Sequence, residues 1–401
     1  MFLPLIMATL AAPPPAMEWQ PLIAHDIATW TVAGGNGSFV FEDGELHGFG
    51  PTKRNTFLVS PEIHRDFVLE CEVLAAPATN SGVQIRSRVD GTGRLRGPQI
   101  EIDTSDRRWS GGLYDEGGRG WLDPLEGDAD ALAAFKVGTW NTYRIECLGP
   151  RYRSWVNGTL CADFIDTHNT QGRIAFQVHS GDTCDVRWRN LRIADLGDVD
   201  IGPGSAPEQP PSNAEVLFGG TSLEGWSHAK WTLVDDAMEV APGSGDLQTK
   251  APLPSGVLHV EFRTPNREVG QSGQGRGNSG VYVQSRYEIQ ILDSPGPGEA
   301  TDRECGAIYA VAAPRRNAAR QSQQWQSYLI HFRQPEFDAD NAKTAPARVT
   351  VYHNGILIHD DQILDGPTGT GGPESPEPAP LRLQDHGHRV QFRNIWWVPL
   401  Q

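Results

Sequence analysis

The chain has 401 residues, 38% of them hydrophobic, with 44 glycines, 30 prolines and a formal net charge of −16 at pH 7. That length exceeds one ordinary hydrophobic core and suits two domains. The acidic total, with no run of lysine or arginine against it, excludes a nucleic-acid or anionic-membrane footprint. Tryptophan and turn formers are frequent and long amphipathic helical patterns are scarce, which favours β structure.

Residues 1–16 begin with an apolar run and continue as Ala11-Ala12-Pro13-Pro14-Pro15-Ala16. The run is too short to span a bilayer, and no other segment comes close. It reads either as an atypical secretory signal that lacks the usual basic start, or as a disordered tail. The first reading gives a periplasmic or extracellular location. Cys71, Cys147, Cys161, Cys184 and Cys305 show no CxxC spacing. They read as buried free thiols on strands, one bridge within the first half being the alternative.

The first domain is expected over 17–194. Phe39-Val40-Phe41-Glu42 turns through Asp43-Gly44, and Asp66-Phe67-Val68-Leu69-Glu70-Cys71-Glu72-Val73 alternates as a strand. Asn80-Ser81-Gly82-Val83-Gln84-Ile85-Arg86-Ser87-Arg88 and Pro98-Gln99-Ile100-Glu101-Ile102-Asp103 form a strand pair. A glycine-rich loop spans 111–122. Trp140-Asn141-Thr142-Tyr143-Arg144-Ile145 leads to a strand turning at Asn157-Gly158, and strands ending at His179 and Ile193 close the unit. Residues 195–213 have linker composition.

The same order then recurs over 214–401. Asn278-Ser279-Gly280-Val281 answers Asn80-Ser81-Gly82-Val83, Trp325-Gln326-Ser327-Tyr328 answers Trp140-Asn141-Thr142-Tyr143, and Asn354-Gly355 answers Asn157-Gly158. The offset of about two hundred residues is far longer than a solenoid repeat, so a whole domain is duplicated in tandem. Many short strands with hairpin turns and almost no helix predict an antiparallel β-sandwich in each copy, with a polar sheet face as the candidate site.

Alternation places Gln84, Arg86 and Arg88 on that face with Gln99, Glu101 and Asp103, joined by Gln177 and His179. In the second copy Arg382, Gln384 and His386 share a face. Carboxylates, amides, guanidinium and imidazole are groups that bind hydroxyls and move protons. Taken singly, such residues are by default just solvated, and His179 and His386 can equally be hydrogen-bonded structural histidines. His228, His331 and His353 read as structural or exposed. Trp140, Trp188 and Trp325 read as core, whereas Trp109 and Trp121 flank the glycine-rich loop as stacking candidates. No nucleophile elbow, P-loop, dinucleotide fingerprint or HExxH helix occurs. Glu101, Asp103 and His179 could converge on a divalent cation if their strands are neighbours.

The ordered series Asn-Ser-Gly, Tyr287-Glu288-Ile289-Gln290-Ile291-Leu292-Asp293, Gly306-Ala307-Ile308-Tyr309, Trp325, Asn354-Gly355, Gln384-Asp385-His386-Gly387 and Phe392-Arg393-Asn394-Ile395 resembles the domain of unknown function 1080. That family is also named the 3-keto-disaccharide hydrolase, 3-keto-glucoside lyase or 3-keto-2-hydroxy-glucal hydratase domain. The resemblance implies two concanavalin A-like jelly-roll sandwiches in an exported bacterial protein that handles carbohydrate. It implies base-catalysed elimination or hydration of a 3-keto-glycoside, with a sugar oxidoreductase as functional neighbour. Under it, Glu101 or His179 is the base and Glu116 or Asp103 the acid or a metal ligand. Arg86 clamps the substrate, and Arg88, Gln99, Tyr114, Trp121 and Gln177 bind it. The second copy departs, with Gln284 and Gln290 where Arg86 and Glu101 stand. Its candidates are Glu288, Gln290, Asp293, Tyr309, Gln384 and His386. The alternative is a tandem carbohydrate-binding module without turnover.

Overall fold

The computed structural model describes residues 17–227, 230–296 and 300–400. Residues 1–16, expected as signal or tail, and His228 lie outside them. The described chain is almost entirely antiparallel β-structure, with one short helix at Ala129–Ala134 and one 3-10 turn at Gly273–Gly275. Each half of the sequence supplies a pair of sheets around its own apolar core, giving two tandem jelly-roll sandwiches.

In the first copy the front sheet runs, in spatial order, Gly120–Asp123, Leu113–Glu116, Leu95–Asp103, Asn80–Val89, Arg173–Val178, Thr56–Val59 and Thr31–Gly34. The back sheet is centred on Phe67–Ala75, flanked by Asn141–Leu148 and Asp185–Asp195. Period-two alternation is the reason for the sandwich: Val83, Ile85, Ile100 and Ile102 turn inward onto Tyr143, Phe176 and Trp188, and their polar neighbours turn outward. The second copy repeats the plan with a five-stranded front sheet that includes Ser279–Val283, Tyr287–Ile291 and Ala379–Leu383.

Both asparagine-glycine steps are hairpin turns of the type whose two central residues need positive φ. Asn157 and Gly158 have φ of 50° and 81°, Asn354 and Gly355 of 53° and 82°. Each asparagine Oδ1 also accepts a backbone N–H from the adjacent strand outside the hairpin, from Thr142 and from Ser327, at 2.9 Å in both copies. Among the tryptophans, Trp188 and Trp325 are buried as expected, but Trp140 is only half-buried, lying under the Arg189 guanidinium 4.0 Å away. His353 is buried, with Nε2 2.9 Å from Gln326 Oε1. All five cysteines are free thiols.

The copies meet through an apolar cluster that joins Val68, Leu148, Ile165 and Leu196 to Val257, Leu329, Tyr352, Trp396 and Val398. Arg86 belongs to this junction and not to the polar face on which alternation put it. The Asn80–Val89 strand carries a bulge between Gln84 and Arg88, and Arg86 has φ of 48° within it, which breaks the period. Its side chain turns inward, donating through Nε to Arg65 O at 2.6 Å and through Nη2 to Asp66 Oδ1 at 3.1 Å. The hydroxyl of Tyr352 in the second copy donates to Asp66 Oδ2 at 3.1 Å. Arg88, beyond the bulge, is exposed and reaches only Asn169. Arg86, held in the junction, cannot clamp a ligand on the front sheet.

Removing one partner of a buried ion pair leaves the other charge uncompensated. Arg86→Met is therefore expected to lower unfolding free energy by about 3–5 kcal/mol in a denaturant titration. Stability within about 0.5 kcal/mol of the wild type, the range of an ordinary surface substitution, would refute this role.

Candidate functional site

The Asn-Ser-Gly step builds the same floor in both copies, and each residue has a separate task. The serine pins the neighbouring strand: Ser81 Oγ donates to Gln177 O at 2.5 Å and Ser279 Oγ to Gln384 O at 2.7 Å. The glycine leaves room. A Cβ on Gly82 would lie 2.3 Å from Gln99 Cδ, and one on Gly280 would lie 2.5 Å from Glu288 Oε1. From the core, Tyr143 donates its hydroxyl to Glu101 O at 3.2 Å and Tyr328 to Gln290 O at 2.6 Å. Both floors are thus fixed from beside and from below.

On the first floor Gln84 Nε2 donates to Gln99 Oε1 at 2.6 Å, and Gln99 Nε2 donates to Glu101 Oε2 at 2.9 Å and faces Gln177 Oε1 at 3.4 Å. Asn80 Nδ2 donates to Glu101 Oε1 at 2.6 Å. Arg107 arches over this row, its Nη2 3.4 Å from Glu101 Oε1 and its Nε donating to Asp103 Oδ2 at 2.8 Å. The guanidinium is held against Trp109 and Trp121, 4.9 and 4.8 Å from their ring centroids, and Trp121 packs edge-on to Tyr114. Glu101, Asp103, Gln99, Gln177, Tyr114 and Trp121 therefore come together as read from the sequence.

Burial pushes the Glu101 carboxyl up to about 7, against the opposing pull of Gln99, Asn80 and Arg107. Asp103 behaves oppositely. Burial would raise it too, but Ser105 and Arg107 hold it below the ordinary carboxylate range, so it is an anchor for Arg107 and a poor proton donor. Glu116 is raised by burial, with Arg94 3.6 Å away and His179 acting in the other direction. His179 lies just past the end of the Arg173–Val178 strand, its Nδ1 2.9 Å from Ser180 O. Burial together with Glu116 and Glu101 raises the Tyr114 phenol. The possible cation site does not form: Asp103 and Glu101 face Arg107 and His179 sides with Glu116. Among the described residues no group of three His, Cys, Asp or Glu side chains is placed to hold a metal ion.

The second floor inverts the polar pair. Glu288 stands where Gln99 does and Gln290 where Glu101 does, so the carboxylate is moved one step along the strand and not lost. Tyr282, in the place of Gln84, donates its hydroxyl to Glu288 Oε2 at 2.7 Å, and Arg382 lies on the Tyr282 ring at 3.8 Å. Burial pushes Glu288 up to about 7 as well. A loop absent from the first copy lies directly on it: Thr368 Oγ1 accepts from Glu288 N, and a Cβ on Gly369 would meet Glu288 Oε2 at 2.3 Å. The buried acceptors Asn278 Oδ1, Gln290 Oε1 and Gln384 Oε1 have no partner among the described residues. Asp293 pairs with Arg267 at 2.7 Å, Tyr309 lies beside Arg303, and His386 is exposed beyond the strand end, stacked on His388.

Arg107 is the candidate site residue that alternation does not reach, because it sits in the turn after the Leu95–Asp103 strand. Its one sequence signal is the Asp103-Thr104-Ser105-Asp106-Arg107 spacing, which lets an arginine fold back onto the strand's last carboxylate.

The raised Glu101 has a thermodynamic signature. The folded protein keeps a proton that the unfolded chain releases near its ordinary value of 4.5, so stability falls as pH rises from about 4.5 to about 7. Glu101→Gln is expected to leave stability at pH 4 unchanged and to raise it at pH 8 by on the order of 2 kcal/mol. Unfolding curves at the two pH values check this; equal shifts at both would contradict it.

Residues 18–194 and 213–398 each match the model of the 3-keto-alpha-glucoside-1,2-lyase-like domain. A candidate glycosyl hydrolase from Parabacteroides distasonis ATCC 8503 is 32% identical, over 49% of this chain and 94% of its own, with a TM-score of 0.44. The carbohydrate binding module CBM66 from Bacillus subtilis is 16% identical, over 41% of this chain and 94% of its own, with a TM-score of 0.31. Among curated proteins none matches. With that family model matched twice and across most of its length, the chain belongs to the 3-keto-alpha-glucoside-1,2-lyase-like domain family.

Proposed function

We propose that the first copy cleaves a 3-keto-glycoside by elimination at Glu101, and that the second copy does not turn it over. The observation that carries this reading is the pairing of a protonatable buried carboxyl with a fixed guanidinium, Glu101 Oε1 to Arg107 Nη2, on an amide-lined floor. A ketone at C3 acidifies the C2 hydrogen. The Glu101 carboxylate takes that proton, and Arg107 stabilises the enolate oxygen that develops at C3. The C1–oxygen bond to the aglycone then breaks, and the departing oxygen receives a proton from Tyr114. Addition of water across the resulting enone would complete a net hydrolysis.

Tyr114 suits the acid role better than Glu116. A phenol raised above its ordinary value of 10 is still protonated at the neutral to mildly alkaline pH at which Glu101 ionises. Trp109 and Trp121 hold the Arg107 guanidinium in place over the floor. In the second copy the loop on Glu288 occupies the space a sugar ring would need there, which removes that carboxylate from the reaction. The substrate requires prior oxidation of a glycoside at C3, and export of the chain would fit that supply.

With a 3-keto-glucoside as substrate, kcat/KM is expected to rise with pH through about 7 and to stay level to pH 9, as Glu101 ionises and Tyr114 remains protonated. Glu101→Gln should lower kcat by about 10²–10⁴-fold, the usual worth of a positioned base, and Glu288→Gln by less than about 3-fold. Sugar binding without turnover by the wild type, or a Glu101→Gln enzyme of normal rate, would sink the proposal.

A further inference from the structure

The strand segment Phe392-Arg393-Asn394-Ile395 and its first-copy counterpart Trp188-Arg189-Asn190-Leu191 each carry a clamp, closed on a peptide in the second copy and open in the first. In the second copy Arg393 Nε donates to Glu261 Oε2 at 2.6 Å and its guanidinium lies on Trp325 at 4.0 Å. The clamp grips the chain's own linker. Arg393 donates to Gly204 O at 3.1 Å and Ser205 O at 2.8 Å, Asn394 Nδ2 to Glu208 O at 2.8 Å, and Glu208 N to Glu261 Oε1 at 3.0 Å. The upstream end is fixed at the hairpin turn, where Ile201 N donates to Asn354 O at 3.0 Å and Ile201 fills the space above Gly355. Every one of these linker contacts is made through its backbone, apart from Ile201.

The first copy has the same parts. Arg189 Nε donates to Glu72 Oε2 at 2.6 Å, Asn190 Nδ2 to Glu72 Oε1 at 3.0 Å, and the Arg189 guanidinium lies on Trp140 at 4.0 Å. Here no segment of the described chain lies on them. Arg189 keeps 42% of its side chain exposed where Arg393 keeps 2%, and nothing stands within 4 Å above Gly158, the counterpart of Gly355. A groove of about 760 Å³ runs between these points, walled by Trp19 and Trp155. Its floor is changed. Where the second copy has His259, Leu329 and Trp396, the first has Glu70, Arg144 and Arg192, joined in ion pairs.

We infer that this back-sheet groove of the first copy docks an extended, glycine- and proline-containing peptide of another polypeptide, held by Glu72, Arg189 and Asn190 as the linker is held by Glu261, Arg393 and Asn394. The charged floor asks for a polar side chain at the position that Ile201 occupies in the linker. Backbone recognition supplies the affinity and the floor supplies the selectivity.

The test is a calorimetric titration with a synthetic peptide of linker residues 200–211, carrying serine at the Ile201 position. It is run on the full chain and on the chain starting at Met17, because residues 11–16 are proline-rich and would compete. Saturable one-to-one binding to either form is expected. Asn190→Gly accepts the positive φ at this position and removes the amide, and should weaken binding about tenfold without shifting the melting temperature by more than a few degrees. Absence of binding to both forms, or equal affinity in Asn190→Gly, would overturn the inference.

Discussion

A carboxyl group buried on a sheet floor governs the rest of the front sheet in each copy. Withdrawing it from water favours the protonated form and costs stability once it ionises, so the surroundings must supply donors without filling the space above. In the first copy Asn80, Gln99 and Arg107 supply them, and in the second Tyr282 does. The glycine of the Asn-Ser-Gly step is what leaves room for the neighbouring head group, and the core tyrosines hold the floor strands level. The result is a group that titrates near neutrality in a rigid setting, which is what a general base requires.

Duplication kept this scaffold and altered its use. The serine pins, the tyrosine props and the asparagine-glycine turns superpose in their contacts, whereas the carboxylate and amide have exchanged places and a loop has closed over the second carboxylate. Scaffold positions answer to packing and backbone satisfaction, and the outward side chains are free of both constraints. The back sheets diverge by the same logic, one bearing an apolar floor under the linker and junction, the other an ion-paired floor open to solvent.

Much of this was legible in the sequence. Period-two alternation identified the strands, their inward face and the floor residues Gln99, Glu101 and Gln177, and the recurring motifs exposed the duplication. Alternation failed where the strand ceases to be regular. Arg86 lies in a bulge at positive φ and faces the junction, and His179 and His386 lie beyond their strand ends. Arg107 was hidden because a turn residue's reach depends on backbone geometry that no periodicity encodes. Trp140 reads as core by composition and proves to be a platform for Arg189, a pairing that joins residues almost fifty apart.

The central claim, removal of the C2 proton by Glu101, is tested most directly by turnover of a 3-keto-glucoside in D₂O followed at early times by proton NMR. Elimination followed by hydration draws a solvent deuteron into C2, so the account predicts 3-keto-glucose deuterated at C2, or the glucal itself, from the wild type and neither from Glu101→Gln. A wild-type product that keeps its protium at C2 would mean that the glycosidic bond breaks without proton abstraction, and would contradict the account.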